Sequence, residues 1–106
     1  MNLKSTVIGY PYIGENREWK RALESYWKKE ISEEKLKERM KQLRLNHLNK
    51  QLSLGIDIVT VGDFTFYDRV LDTAVMFGLV PERYQWKGET VDLETYFAMA
   101  RGRDGQ

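Results

Sequence analysis

The 106 residues include no cysteine, a single histidine and only two prolines. Without cysteine there is no disulfide, no thiolate nucleophile and no cysteine-held metal. One histidine does not supply the paired imidazoles of an H-E-x-x-H site. Long apolar runs are missing too. No stretch is long enough to cross a bilayer, and the opening MNLKSTVIGYP holds too short an apolar run for a secretory signal. There is no excess of charge of one sign: seventeen Lys and Arg stand against sixteen Asp and Glu, net +1, with no long single-sign run. Nucleic acid and membrane are therefore not expected as partners. The expectation is one domain, 1–106, soluble and cytoplasmic, with a modest core.

What is present is organised around Gly55 to Tyr84, GIDIVTVGDFTFYDRVLDTAVMFGLVPERY. Ile56, Ile58, Val59 and Val61 form a β-branched run between Gly55 and Gly62, which predicts a short strand. Thr65 followed by Asp68 fits the S/T-x-x-D/E capping pattern, which starts a helix at Phe66. Tyr67, Val70, Leu71, Ala74 and Val75 then keep helical spacing, and Gly78 and Pro81 end the run. Earlier, Ser5 to Tyr10 reads as a first strand leading into a glycine-rich loop, with Asn16 as helix cap. Trp19, Ala22, Leu23, Tyr26 and Trp27 recur at helical spacing over Arg17 to Lys29. Ser32 caps a second helix, expected to run to about Leu54, with an inner stripe of Leu36, Met40, Leu43 and His47 widened by Leu45, Leu48 and Leu52. Asp92 caps a last helix, Leu93 to Arg101, with Leu93, Phe97 and Ala100 inward and Gly102 as its stop. Two strands joined through two helices make a crossover, so the strands are expected to be parallel.

Four places carry candidate chemistry. At the corner Gly14 to Arg21, a loop feeds a helix start whose free N–H groups suit an anion, and Arg17, Lys20 and Arg21 cluster there. Cations are slightly unfavourable at that helix end, which hints at a bound anion. The plainer explanation, favoured by pattern alone, is surface pairing with Glu15, Glu18 and Glu24. Asp63 and Asp68, with Tyr67 and Arg69, form a possible acid–base or cation site, but capping already explains Asp68. His47 lies on an apolar stripe and reads as structural rather than as a metal ligand. The basic face of the second helix is interrupted by glutamates, which argues against nucleic acid.

The pieces GYPYIGENREWKRALESYW (Gly9 to Trp27), GIDIVTVGDFTFYDRVLDTA (Gly55 to Ala74), VPERY (Val80 to Tyr84) and TYFAMARG (Thr95 to Gly102) resemble, in order and spacing, the amino-terminal part of cobalamin-independent methionine synthase. That family moves a methyl group from 5-methyltetrahydrofolate polyglutamate to homocysteine, with zinc, in an enzyme of two (β/α)8 barrels. The resemblance implies an α/β fold here: an incomplete (β/α)8-barrel segment with two short parallel strands and about four helices. It implies a folate-binding role for Arg17, Glu18, Trp19 and Lys20, which turns the balance at the corner towards a ligand. It implies no cofactor in this chain, since the family's zinc ligands lie in the other half and nothing here matches them. Tyr12 departs from the family's Gly-Phe-Pro-Arg-Ile-Gly loop and removes one cation. The chain is expected to be an amino-terminal piece of such an enzyme, inactive alone, with the remainder of that enzyme as its partner and a tendency to self-associate. The alternative is a stand-alone, non-catalytic binding or interaction module.

Overall fold

A computed structural model describes residues 2–8 and 11–103. The chain divides into two compact units, Met1–Phe64 and Thr65–Gln106. The first is built on two helices, α1 (Glu18–Trp27) and α2 (Glu33–Ser53), packed against each other. The spacing that predicts α1 also supplies its buried face, Trp19, Ala22 and Leu23, which meets Leu36 and Met40 of α2. Fully burying a leucine or methionine side chain such as Leu23, Leu36 or Met40 stabilises by about 1.5–3 kcal/mol. The Ser32 hydroxyl accepts the Lys35 N–H at 3.2 Å, as its position before two glutamates predicts. Past Met40 the buried stripe continues through the half-buried His47 to Gln51, whereas Leu45 and Leu52 are exposed.

The expected parallel strands do not form among the described residues, so the α/β barrel-segment expectation is corrected to a helical fold. Ser5 to Val7 and Ile56 to Val61 run beside one another and share one isolated parallel bridge, Thr6 with Ile58. (The Gly9–Tyr10 end of the first expected strand lies outside the described residues.) The physical reason lies in who takes the backbone groups. Ser5 N–H goes to the Asp57 carboxylate at 2.7 Å, the Thr6 hydroxyl donates to Ile58 C=O at 3.0 Å, and the Thr60 hydroxyl donates to Val7 C=O at 2.5 Å. Polar side chains thus replace rungs of a ladder. A β-branched run makes the backbone extended, but a strand also needs a paired neighbour.

The second unit comprises α3 (Arg69–Met76), a 3-10 turn (Glu82–Tyr84) and α4 (Leu93–Arg101). Asp92 caps α4 as expected, accepting Thr95 N–H at 2.7 Å. Its buried face is Leu93, Tyr96, Phe97 and Ala98, so Tyr96 and Ala98 join the expected Leu93 and Phe97, whereas the expected Ala100 is only half-buried. Phe66 packs edge-on against Tyr96 and Phe97, at 6.2 and 6.4 Å between ring centroids. The start of α3 differs from the capping-box expectation. Asp68, not Thr65, is the cap, accepting Leu71 N–H at 3.0 Å. The Thr65 hydroxyl instead holds Tyr67 N–H and the Tyr96 hydroxyl, each at 3.3 Å, so residues 65–67 form a turn ahead of the helix. Among the described residues no helix is long and apolar enough to cross a membrane.

Candidate functional site

The corner before α1 is built from glycine and a carboxylate. Gly14 has φ +88°, and a Cβ there would lie 1.9 Å from Glu18 Oε2, so a side chain at this position would strain the backbone and push the Glu18 carboxylate out of its place. The Glu18 carboxylate fills that space and accepts Asn16 N–H at 3.1 Å. Glu18's own backbone N–H, ahead of the groups of Asn16 and the charge of Arg21, holds the carboxyl below its usual range. Two backbone bonds close the corner: Arg17 N–H to Gly14 C=O at 3.3 Å and Trp19 N–H to Ile13 C=O at 3.1 Å. The expected cap, Asn16, does not cap. Arg17 occupies that place with φ +57°, in the left-handed region, and makes no side-chain cap bond.

This geometry separates the four residues expected to bind ligand. Trp19 is 3% exposed, so its indole packs inside the unit, edge-on to Tyr12 at 5.3 Å between centroids. Glu18 is committed to the corner. Lys20 reaches Glu24 at 3.7 Å, an exposed helix pair of the kind worth about 0.3–0.5 kcal/mol and easily given up. Arg17 is exposed and its side chain makes no hydrogen bond or ion pair with a described residue; the same holds for Arg21. The surface-pairing explanation therefore accounts for Lys20 and, through the charge Arg21 exerts on Glu18, for part of Arg21, and leaves Arg17 over. Glu15, offered as a partner for them, lies 3.9 Å from Lys50 of α2 instead.

Two hollows flank the corner. A groove of about 430 Å³ is lined by Pro11, Gly14, Glu18, Asn46, His47 and Lys50. A cavity of about 90 Å³ is lined by Tyr12, Arg44, His47, Gln51, Asp63 and Phe64. The half-buried His47 is a wall of both. Arg44 lies over the Phe64 ring, 3.8 Å from its centroid. Sequence reading passed over Arg44 as one more charge on a solvated face. The signal was the spacing Met40, Arg44, His47, Gln51, which keeps Arg44 beside the buried stripe. Asp63 lines the smaller cavity, while Asp68 serves as the α3 cap, so the possible acid–base pairing of the two carboxylates gains no support here.

The comparisons with known proteins agree with one another. Residues 4–106 match the family described as cobalamin-independent synthase, N-terminal domain. The chain is 60% identical over 95 residues to 5-methyltetrahydropteroyltriglutamate–homocysteine methyltransferase of Halalkalibacterium halodurans, covering 90% of this chain and 13% of that protein. It is 57% identical over 99 residues to the methyltransferase of the same name from Listeria innocua, covering 93% and 13%. The Salinibacter ruber protein of that name is 52% identical over 95 residues, covering 90% and 12%. The chain thus spans about an eighth of the length of these relatives. It belongs to the cobalamin-independent methionine synthase family, within the part that the family's N-terminal domain describes.

Proposed function

We propose that this chain is part of an enzyme that transfers the methyl group of 5-methyltetrahydropteroyltriglutamate to homocysteine, and that it supplies part of the site for the glutamate tail. The observation that carries the reading is the family match across residues 4–106, joined to relatives that bear that activity in their names. In this reading Arg17 and Lys20 meet the tail's carboxylates. Arg makes a forked contact and Lys a point charge. Glu18 and Trp19 act one step back: the carboxylate holds the corner, the buried indole anchors it, and together they fix where Arg17 stands. A left-handed arginine is a costly conformation, and such outliers gather at functional sites. The remainder of the enzyme is the partner, and a cytoplasmic location is part of the same proposal.

Zinc does not belong to the share of the site in this chain. The sequence has no cysteine and one histidine, and among the described residues no three His, Asp or Glu gather where a metal would sit. These residues do not fit the ion, and the chain alone is expected to form no methionine. The alternative, a non-catalytic binding module, is favoured only by that lack of catalytic groups; the intact mass of the natural protein separates the two. The tail reading is tested by Arg17→Ala and Lys20→Ala in the full-length enzyme. Each should raise KM for the triglutamate substrate with little change in kcat. The loss is at most roughly 1.5–3 kcal/mol, the range for a charge-assisted contact, and should shrink with a monoglutamate substrate. Equal losses on both substrates would show that these residues do not read the tail.

A further inference from the structure

On α2 three of the four lysines are paired, Lys41 being the exception: Lys35 and Lys37 reach Glu38 and Glu33 at 3.0 and 2.5 Å, and Lys50 lies 3.9 Å from Glu15. Arg44 reaches no carboxylate and makes no hydrogen bond with a described residue. One face of its guanidinium rests on Phe64, which leaves the N–H edge open. Such an edge is a forked donor that matches a carboxylate. The same side chain lines the cavity of about 90 Å³ that also presents Asp63 and Gln51. Gln51 is 3% exposed and its carbonyl oxygen has no hydrogen-bond partner among the described residues. A buried acceptor left without a donor is costly, so this wall of the cavity lacks an N–H.

The geometry points to Arg44 and its cavity as a subsite for an N-acyl amino acid carboxylate: the carboxylate on the guanidinium edge, the adjacent amide N–H towards the oxygens of Asp63 and Gln51. A bare carboxylate fits less well, because Asp63 repels it and Gln51 offers it no acceptor-to-donor match. Each residue of a γ-linked glutamate chain is such a group, with an α-carboxylate beside an amide N–H. His47 walls both this cavity and the groove that contains Glu18, so the two hollows adjoin one another there. Identifying the natural ligand with the glutamate tail rests on the reading proposed above; the chemistry of the subsite does not.

Titration of the isotope-labelled chain with N-acetyl-L-glutamate, and with glutarate as the carboxylate lacking an N–H, tests the subsite. N-acetyl-L-glutamate should shift the Arg44 Nε–H signal and bind at least about fivefold more tightly than glutarate. Arg44→Gln should weaken it about tenfold and Arg44→Lys less, with thermal unfolding lowered only slightly, because Arg44 is exposed and gives up only its stacking on Phe64. Unaltered affinity in Arg44→Gln overturns the subsite. A parallel titration with pteroyltriglutamate keeps the two ideas apart. If Arg17→Ala weakens pteroyltriglutamate while Arg44→Gln leaves N-acetyl-L-glutamate untouched, the tail reading stands and the subsite falls. If Arg44→Gln weakens N-acetyl-L-glutamate while neither variant affects pteroyltriglutamate, the subsite stands and the tail reading falls.

Discussion

Two residues hold conformations or contacts that their neighbours alone explain, and both give measurable consequences. Arg17 sits at φ +57°, where an L side chain costs roughly 1 kcal/mol. Arg17→Gly should therefore raise stability by about 0.5–1 kcal/mol while weakening triglutamate binding, since glycine accepts that backbone and lacks the cation. Chemical denaturation beside a binding titration reads the trade; a destabilised Arg17→Gly would mean the side chain, not the backbone, holds the corner. Tyr96 is the second case. Its hydroxyl donates to the Asp72 carboxylate at 2.5 Å and accepts Tyr67 N–H at 3.0 Å. Burial first, and then the Asp72 carboxylate, push its phenol up to about 12 from an ordinary value of 10.0. The sign follows: below pH 10 the phenol is neutral folded or unfolded, and from about 10 to 12 only the unfolded chain releases the proton. Stability should fall across that window by about 1–3 kcal/mol. Tyr96→Phe should cost about 1–2 kcal/mol at neutral pH, because Tyr67 N–H and Asp72 lose a partner. It should also flatten the alkaline loss; an equally steep decline in the variant would place the titration on other tyrosines.

Among the elements, the helices differ in what keeps them in place. α1, α2 and α4 each bury a face, so their packing sets their stability. α3 has no buried residue, and Val70 and Met76 are 76% and 74% exposed. Eight residues are too few for a helix to persist on propensity, so its cap matters more. Asp68→Ala removes the bond to Leu71 N–H and should cost about 1 kcal/mol locally. In hydrogen exchange, α3 amides should be the least protected of the four helices, and Asp68→Ala should speed their exchange several-fold while leaving α2 unchanged. Uniform protection across all four helices would refute that ranking.

For the whole molecule, the prominent feature is uncovered apolar surface in both units. Leu52, Leu54, Ile58 and Val61 are more than half exposed in the first, and Val70, Met76, Phe77 and Leu79 are so in the second. Among the large aromatics Trp19 is buried, Trp27, Phe66 and Trp86 are half-buried, and Phe77 is 71% exposed. Apolar patches beyond a few hundred Å² usually end in association. The 106-residue chain by itself is expected to form dimers or larger species at micromolar concentration. Light scattering decides this, and Phe77→Ser with Met76→Ser should shift the distribution towards monomer. A monodisperse monomer in the parent chain would show that these faces are tolerated in water.

What the sequence determined by itself was local. Ser32 and Asp92 have hydroxyl or carboxylate oxygens next to apolar-periodic runs, and the bonds they make span three residues, so no distant partner is needed. The buried residues Trp19, Ala22 and Leu23 of α1 and Leu93 and Phe97 of α4 followed from 3.6-residue spacing in the same way. Family membership was legible because several motifs recur in one order. What only the tertiary structure decided was whatever needed residues far apart. Ser5 and Ile56–Val61 are separated by some fifty positions, and whether they pair depends on Asp57, Thr6 and Thr60 taking the backbone groups. Thr65 could not cap a helix because its hydroxyl was already held by Tyr96, 31 residues on. Glu18 turned inward because Gly14 leaves room for it, and Arg44 became a site candidate because Phe64, twenty positions away, lies beneath it. Propensity and periodicity act within a turn or two of chain; the competition of distant side chains for the same hydrogen bonds and the same space is settled only when the chain is folded.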